Sequence, residues 1–179
     1  MNPAKSRPVA SAIVAAALVA TSAIAQTNVA ALVVRGAVEQ PLALVLSDLQ
    51  AMPRLNLNIR EKDGSDATFE GVALYDVIMR SKPMLSERCC SNAINTLVVV
   101  GAADHYQAVF SLPELDPKFG HGKILLADER NGQPLGLPYG PFEIIAPDDK
   151  VHARWVREVN LIEVLPVGDR RGASGNSPP

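Results

Sequence analysis

Between residues 31 and 164 the chain alternates short apolar runs with polar punctuation, and the spacing of those runs predicts its elements. Residues 31–38 form a β-rich run containing Arg35 and Gly36, which predicts a first strand ended by Gln40-Pro41. Ser47-Asp48-Leu49-Gln50 has the composition of a capping box opening a short helix that must stop before Pro53. Leu55, Leu57 and Ile59 alternate with Asn56, Asn58 and Arg60, as expected for a half-buried strand. Asp63-Gly64 is a turn dipeptide. Leu74, Val77 and Ile78 follow at helical spacing, in a helix that ends by Pro83. Residues 96–100 predict a β-branched strand closed by Gly101, and Tyr106, Ala108 and Phe110 alternate with Gln107 and Val109 in the next one. Ser111-Leu112-Pro113-Glu114 predicts a second capping box. Residues 124–127, 142–146 and 159–164 complete the strands, with Asn131-Gly132 as a tight turn. Strands outnumber helices and show no βαβ alternation, so the expected class is α+β with mixed or antiparallel sheets.

The start of the chain changes the picture of its compartment. Lys5 and Arg7 precede an uncharged apolar stretch at residues 9–20, and Ala23-Ile24-Ala25 places small residues before Gln26. These are the three parts of a secretory signal peptide, here residues 1–25. The stretch is shorter than the roughly 20 residues a membrane span requires. The expectation is a periplasmic or secreted protein with no membrane span after cleavage and no lipid-bearing Cys at the cleavage site. Removing Lys5 and Arg7 from 17 basic residues leaves 15 against 19 acidic ones, a net charge of −4 over residues 26–179. An acidic chain with no long basic run argues against nucleic acid as a partner. Residues 26–167 are expected to form one domain. Residues 168–179, rich in Gly, Ser, Asn, Pro and Arg, are expected to be a disordered tail.

Both cysteines, Cys89 and Cys90, are adjacent. Neighbouring Cα atoms lie about 3.8 Å apart, closer than the roughly 4.4–6.8 Å a disulfide prefers. Two half-buried thiols, a strained redox pair and an intermolecular bridge all stay open for them. The three histidines, His105, His121 and His152, lack metal-ligand spacing.

Several segments, in order, resemble one family. Phe69-Glu70-Gly71-Val72-Ala73-Leu74 is similar to the segment opening the first major helix of the sulfite oxidase-type molybdopterin-binding domain. Asp104-His105-Tyr106 resembles its Asp-Gly-Tyr motif. The strand at 124–127 with Asn131-Gly132-Gln133-Pro134-Leu135 resembles its strand, turn and strand. Tyr139-Gly140-Pro141 and Arg154-Trp155-Val156 resemble its closing stretch. The resemblance spans about residues 33–164 and is nearest the small, exported, single-domain members. It implies a sulfite oxidase-like fold around a pyranopterin pocket, with molybdenum held in the catalytic members by the dithiolene and one Cys thiolate.

The chain departs from that pattern in three places. Residues 55–67, where the resemblance places the metal-bound Cys, contain none. His105 stands where the family has Gly. Glu143 stands near where catalytic members carry an Arg.

The candidate cofactor- or ligand-binding residues are therefore Asp104, His105, Tyr106, Tyr139, Arg154 and Arg157, with no metal ligand and no assigned catalytic residue. Each has an ordinary reading beside the functional one. Asp104 suits a turn cap, His105 an exposed strand edge or a proton carrier, and Tyr106 a core position or a pocket wall. Arg154 and Arg157 flank Trp155, either as an anion clamp or as surface ion pairs with Glu158 and Glu163.

Two function classes follow. One is a binding or accessory module for a small anionic ligand or a periplasmic protein partner, with no cofactor expected. The other is a molybdopterin-dependent oxidoreductase, or its electron-transfer partner, with an atypical metal site. The sequence specifies no reaction.

Overall fold

The computed structural model describes residues 32–61, 64–85, 94–119 and 123–167. The expected leader at 1–25, the expected tail at 168–179, Asp63, Cys89, Cys90 and His121 lie outside the described residues. Among the described residues, ten strands and three short helices make an α+β fold with two sheets.

The first sheet contains β1 (Leu32–Gly36), β2 (Leu42–Leu44), β5 (Thr96–Ala102), β6 (Gln107–Ser111) and β10 (Val159–Pro166), in the order β2-β1-β10-β5-β6. It is mixed: β1 runs parallel to β10, and the other neighbours are antiparallel. The second sheet is antiparallel and contains β3 (Leu55–Arg60), β4 (Asp66–Ala73), β7 (Leu125–Arg130) and β8 (Gln133–Pro134), with β9 (Glu143–Ile145) pairing β7. Helix α1 is Leu46–Gln50, α2 is Leu74–Arg80 and α3 is Leu112–Leu115; a 3-10 turn covers His152–Arg154.

Most predicted elements are present, with shifted ends. The strand expected to close at Gly101 continues to Ala102. Helix α1 is not capped by Ser47: its cap is Val45, whose N–H donates to the Asp48 carboxylate at 2.9 Å. An acid at the third helical position satisfies an orphan donor as well as Gln50 would, so the helix starts two residues earlier than the predicted box. The second box holds, and the Glu114 carboxylate accepts from Ser111 N–H at 3.2 Å. Asn131 and Gly132 both have positive φ, 53° and 72°, and join β7 to β8 as a two-residue turn.

The main core lies between the sheets. Leu74, Val77 and Ile78 of α2 pack there, fully buried, with Val98, Val100, Phe110 and Ile162. A smaller core covers the other face of the second sheet: Phe69, Leu125, Ala127 and Ile145 are buried, with Leu135 and Trp155 packed over them. The second sheet is therefore apolar on both faces where it meets the 3-10 turn. Among the described residues no helix is long and apolar enough to cross a membrane.

A register shift in the β4–β7 pair sets Glu70 opposite Glu129 and Gly71 opposite Ala127, leaving Asp128 as the extra residue of a bulge. Its carboxylate is turned inward and meets Arg54 twice, at 2.9 and 2.6 Å, while Arg54 Nε donates to Glu70 at 3.1 Å. The Asp128 carboxylate holds the Arg54 guanidinium above its ordinary value, against the opposing effect of burial.

Candidate functional site

The loop from Val156 to Val159 positions the site. Glu158 N–H donates to Tyr139 carbonyl at 3.0 Å, Ile144 N–H to Val156 carbonyl at 2.8 Å, and Val159 N–H to Phe142 carbonyl at 3.0 Å. These three bonds clip Arg157 against the segment carrying both Tyr139 and Glu143. That segment turns tightly at Gly140, where an added Cβ would lie 2.0 Å from the Leu135 carbonyl oxygen, so only glycine fits. The Arg157 guanidinium lies over the Tyr139 ring at 4.5 Å, a cation–π contact. Its Nε stands 3.9 Å from Glu143 Oε1, an ion pair too long for a hydrogen bond.

Glu143 is 4% exposed within a strand that is otherwise wholly apolar. Burial pushes its carboxyl up to about 7; Arg157 and then Arg130 pull it down, and Glu61 adds to the rise. Arg130 is itself engaged with Glu61 at 2.6 Å.

The two concavities here share Trp155 and Arg157 as a common wall. One, of about 270 Å³, is lined by Glu61, Phe69, Arg130, Tyr139 and Glu143 beside that wall, with His152 completing it. The other, of about 300 Å³, takes Asp104, Tyr106 and Pro138 into its lining. Trp155 is fixed from three directions. His152 stacks on it at 3.8 Å, Phe69 meets it edge-on at 5.9 Å, and its Nε1 donates to Ala146 carbonyl at 2.9 Å.

Four of the six sequence candidates thus come together: Asp104, Tyr106, Tyr139 and Arg157 surround this wall. Asp104 also plays its turn role, accepting from Tyr106 N–H at 2.9 Å, and Tyr106 Oη donates to Ala153 carbonyl at 2.5 Å. His105 lines none of these concavities. It holds the β5–β6 turn with φ of 71°, the left-handed region, which accounts for Gly at this position in the family pattern. Replacing His105 with Gly is expected to raise stability by about 0.5–1 kcal/mol, read as a higher midpoint in thermal unfolding.

Arg154 points elsewhere. Its guanidinium binds Asp149 through two bonds of 2.9 and 2.6 Å and Glu114 through one of 2.9 Å, and it lies over Phe110 at 4.7 Å. It lines a separate concavity of about 450 Å³ beside Phe119, Lys123 and Ile124. The two arginines flanking Trp155 therefore do not converge: Arg154 is hydrogen-bonded to two carboxylates, whereas Arg157 meets one, Glu143, at 3.9 Å without a hydrogen bond.

The sequence candidates omit Glu143, Glu61, Arg130 and Phe69. For Glu143 a signal existed, a lone charge inside the apolar run 142–146, because a buried charge marks either a partner or a function. Among the described residues no group of three His, Cys, Asp or Glu is placed to hold a metal ion.

No family model matches the chain, and no curated protein matches it. Among solved structures the fold is similar to that of the sulfane dehydrogenase SoxCD from Paracoccus pantotrophus. The TM-score is 0.60 and the identity 18%, over 80% of this chain and 40% of that one. The chain spans well under half the length of that protein, and at this identity the likeness is one of fold. The α+β scaffold is thus shared with an oxidoreductase.

Proposed function

We propose that the chain is an exported binding module built on an oxidoreductase-type α+β scaffold, taking a small anionic ligand beside Trp155 and Arg157. The observation that carries the reading is the state of Arg157. It is propped on Tyr139, 56% exposed, and makes no hydrogen bond with any described residue, in a wall shared by two concavities. A guanidinium laid over an aromatic ring with its N–H fork free is a carboxylate or oxyanion receptor.

The molybdopterin that the sulfite oxidase-like resemblance implies does not fit these residues. Residues 55–67 supply no thiolate, and soft sulfur is the donor that such a metal favours. Glu61 is already paired with Arg130, so among the described residues the wall leaves Arg157 as its one uncommitted cation for a phosphate-bearing group, with Glu143 beside it. Catalysis at a pterin is accordingly no part of this reading. The likeness to a sulfane dehydrogenase favours a second one, an oxidoreductase or electron-transfer partner with an unusual metal site. Service as an accessory domain in a larger periplasmic assembly is compatible with the first.

Native mass spectrometry with elemental analysis separates the two. Protein exported by a molybdenum-replete host is expected at the mass of a chain beginning at Gln26, without stoichiometric molybdenum. About one molybdenum per chain would overturn the binding-module reading.

A further inference from the structure

We propose that Arg157 and Glu143 form a proton-linked site for a small organic monocarboxylate. The ligand's two oxygens take the free guanidinium fork, and Glu143 carries a proton for as long as the ligand is bound. The proposal deepens the reading of the chain as an anion-binding module and rests on it.

The local charges require the linkage. Glu61 and Arg130, 2.6 Å apart, cancel one another. That leaves Arg157 and Glu143, 3.9 Å apart. With Glu143 ionised the cluster sums to zero and has little attraction for an anion. With Glu143 protonated it sums to +1, which one monoanion neutralises. The carboxyl of Glu143 makes no hydrogen bond with a described residue, so its proton is available to a ligand oxygen. A buried carboxyl that titrates near neutrality exchanges that proton in the working range. The charged groups facing Glu143 are Arg157 from the loop before β10, Arg130 from β7 and Glu61 from the end of β3. His152 and Tyr139 line the same concavity.

The walls select the body of the ligand. Phe69, Tyr139, Trp155 and His152 supply the aromatic half of the 270 Å³ space beside four charged side chains, with Arg130 over Phe69, Arg157 over Tyr139 and His152 stacked on Trp155, which suits a small planar body rather than a long apolar one. A dianion would leave the cluster with a net negative charge even with Glu143 protonated, so charge balance favours a monoanion over sulfate or phosphate.

The test is isothermal titration of the exported protein with sodium benzoate between pH 6 and 8.5. It uses two cationic buffers of different ionisation enthalpy, with sulfate as comparator. Benzoate is expected to bind with uptake of about one proton at pH 8, its affinity falling about tenfold per pH unit above 7. Arg157→Gln is expected to weaken binding at least tenfold at every pH. Glu143→Gln is expected to keep binding and flatten the pH dependence. A measurement on the unmutated protein guards against misfolded variants: carbon-13 NMR of the Glu143 carboxyl should show its titration midpoint rising when benzoate is added.

The proposal fails if benzoate does not bind, if sulfate binds as tightly, or if Arg157→Gln binds normally. It fails equally if the midpoint of Glu143 ignores the ligand or if Glu143→Gln keeps the proton linkage. A molybdenum centre in protein that still shows the linkage would overturn the function proposed above and spare this site; no metal and no linkage would do the reverse.

Discussion

Replacing Arg54 with Met is expected to lower the unfolding free energy by about 3–5 kcal/mol, because it strands a buried carboxylate. Asp128 is 3% exposed, and its two oxygens are both answered by Arg54. The pair is not thereby a large net stabiliser. Desolvating two ions costs much of what their attraction returns, so the double variant Arg54→Met/Asp128→Leu should recover most of the loss. Urea unfolding of the wild type, both single variants and the double variant closes the cycle. A single-variant loss under about 1 kcal/mol would mean that solvent reaches Asp128 and that the pair behaves as a surface one.

Glu143→Gln should do the opposite at alkaline pH and stabilise the fold. The folded carboxyl titrates at about 7 against an ordinary value of 4.5, so the folded state binds the proton more tightly than the unfolded state. Below about pH 4.5 both states are protonated and the native fold has its full stability. Between 4.5 and 7 the unfolded chain releases the proton and the folded one keeps it, so stability falls as pH rises. Above 7 the buried charge is carried in full. The variant, neutral throughout, should exceed the wild type by up to about 3 kcal/mol at pH 8, and the gap should close towards pH 5. Equal denaturant midpoints for the two proteins at pH 8 would show that Arg157 and Arg130 fully compensate the burial.

These two sites show what a linear reading reaches. Strands with two-residue alternation, such as β3 and β6, and the i, i+3, i+4 face of α2 were legible because burial of one face imposes its period on the sequence. The turn at Asn131-Gly132 was legible because only such residues tolerate its φ values. The Arg54–Asp128 pair was not, since 74 residues separate its members and a bulge decides where Asp128 points. The site was half legible. Its aromatic and turn residues were identifiable by type, but two arginines flanking one Trp look equivalent in sequence, and only the partners brought by Asp149, Glu114 and Glu143 tell them apart. The sulfite oxidase-like expectation for the fold is consistent with the α+β architecture and with the structural likeness.

The parallel pairing of β1 with β10 places the last strand in the centre of the first sheet, between β1 and β5. Before residues 159–166 arrive, β1–β2 and β5–β6 are two separate ribbons with unpaired inner edges, and the two-stranded form is marginal in water. A chain delivered N-terminus first must therefore stay unjoined until β10 emerges, when one late insertion zips two hairpins into a single sheet. Cutting the protein back by as little as that strand should leave a chain that cannot close, however intact the rest of its sequence.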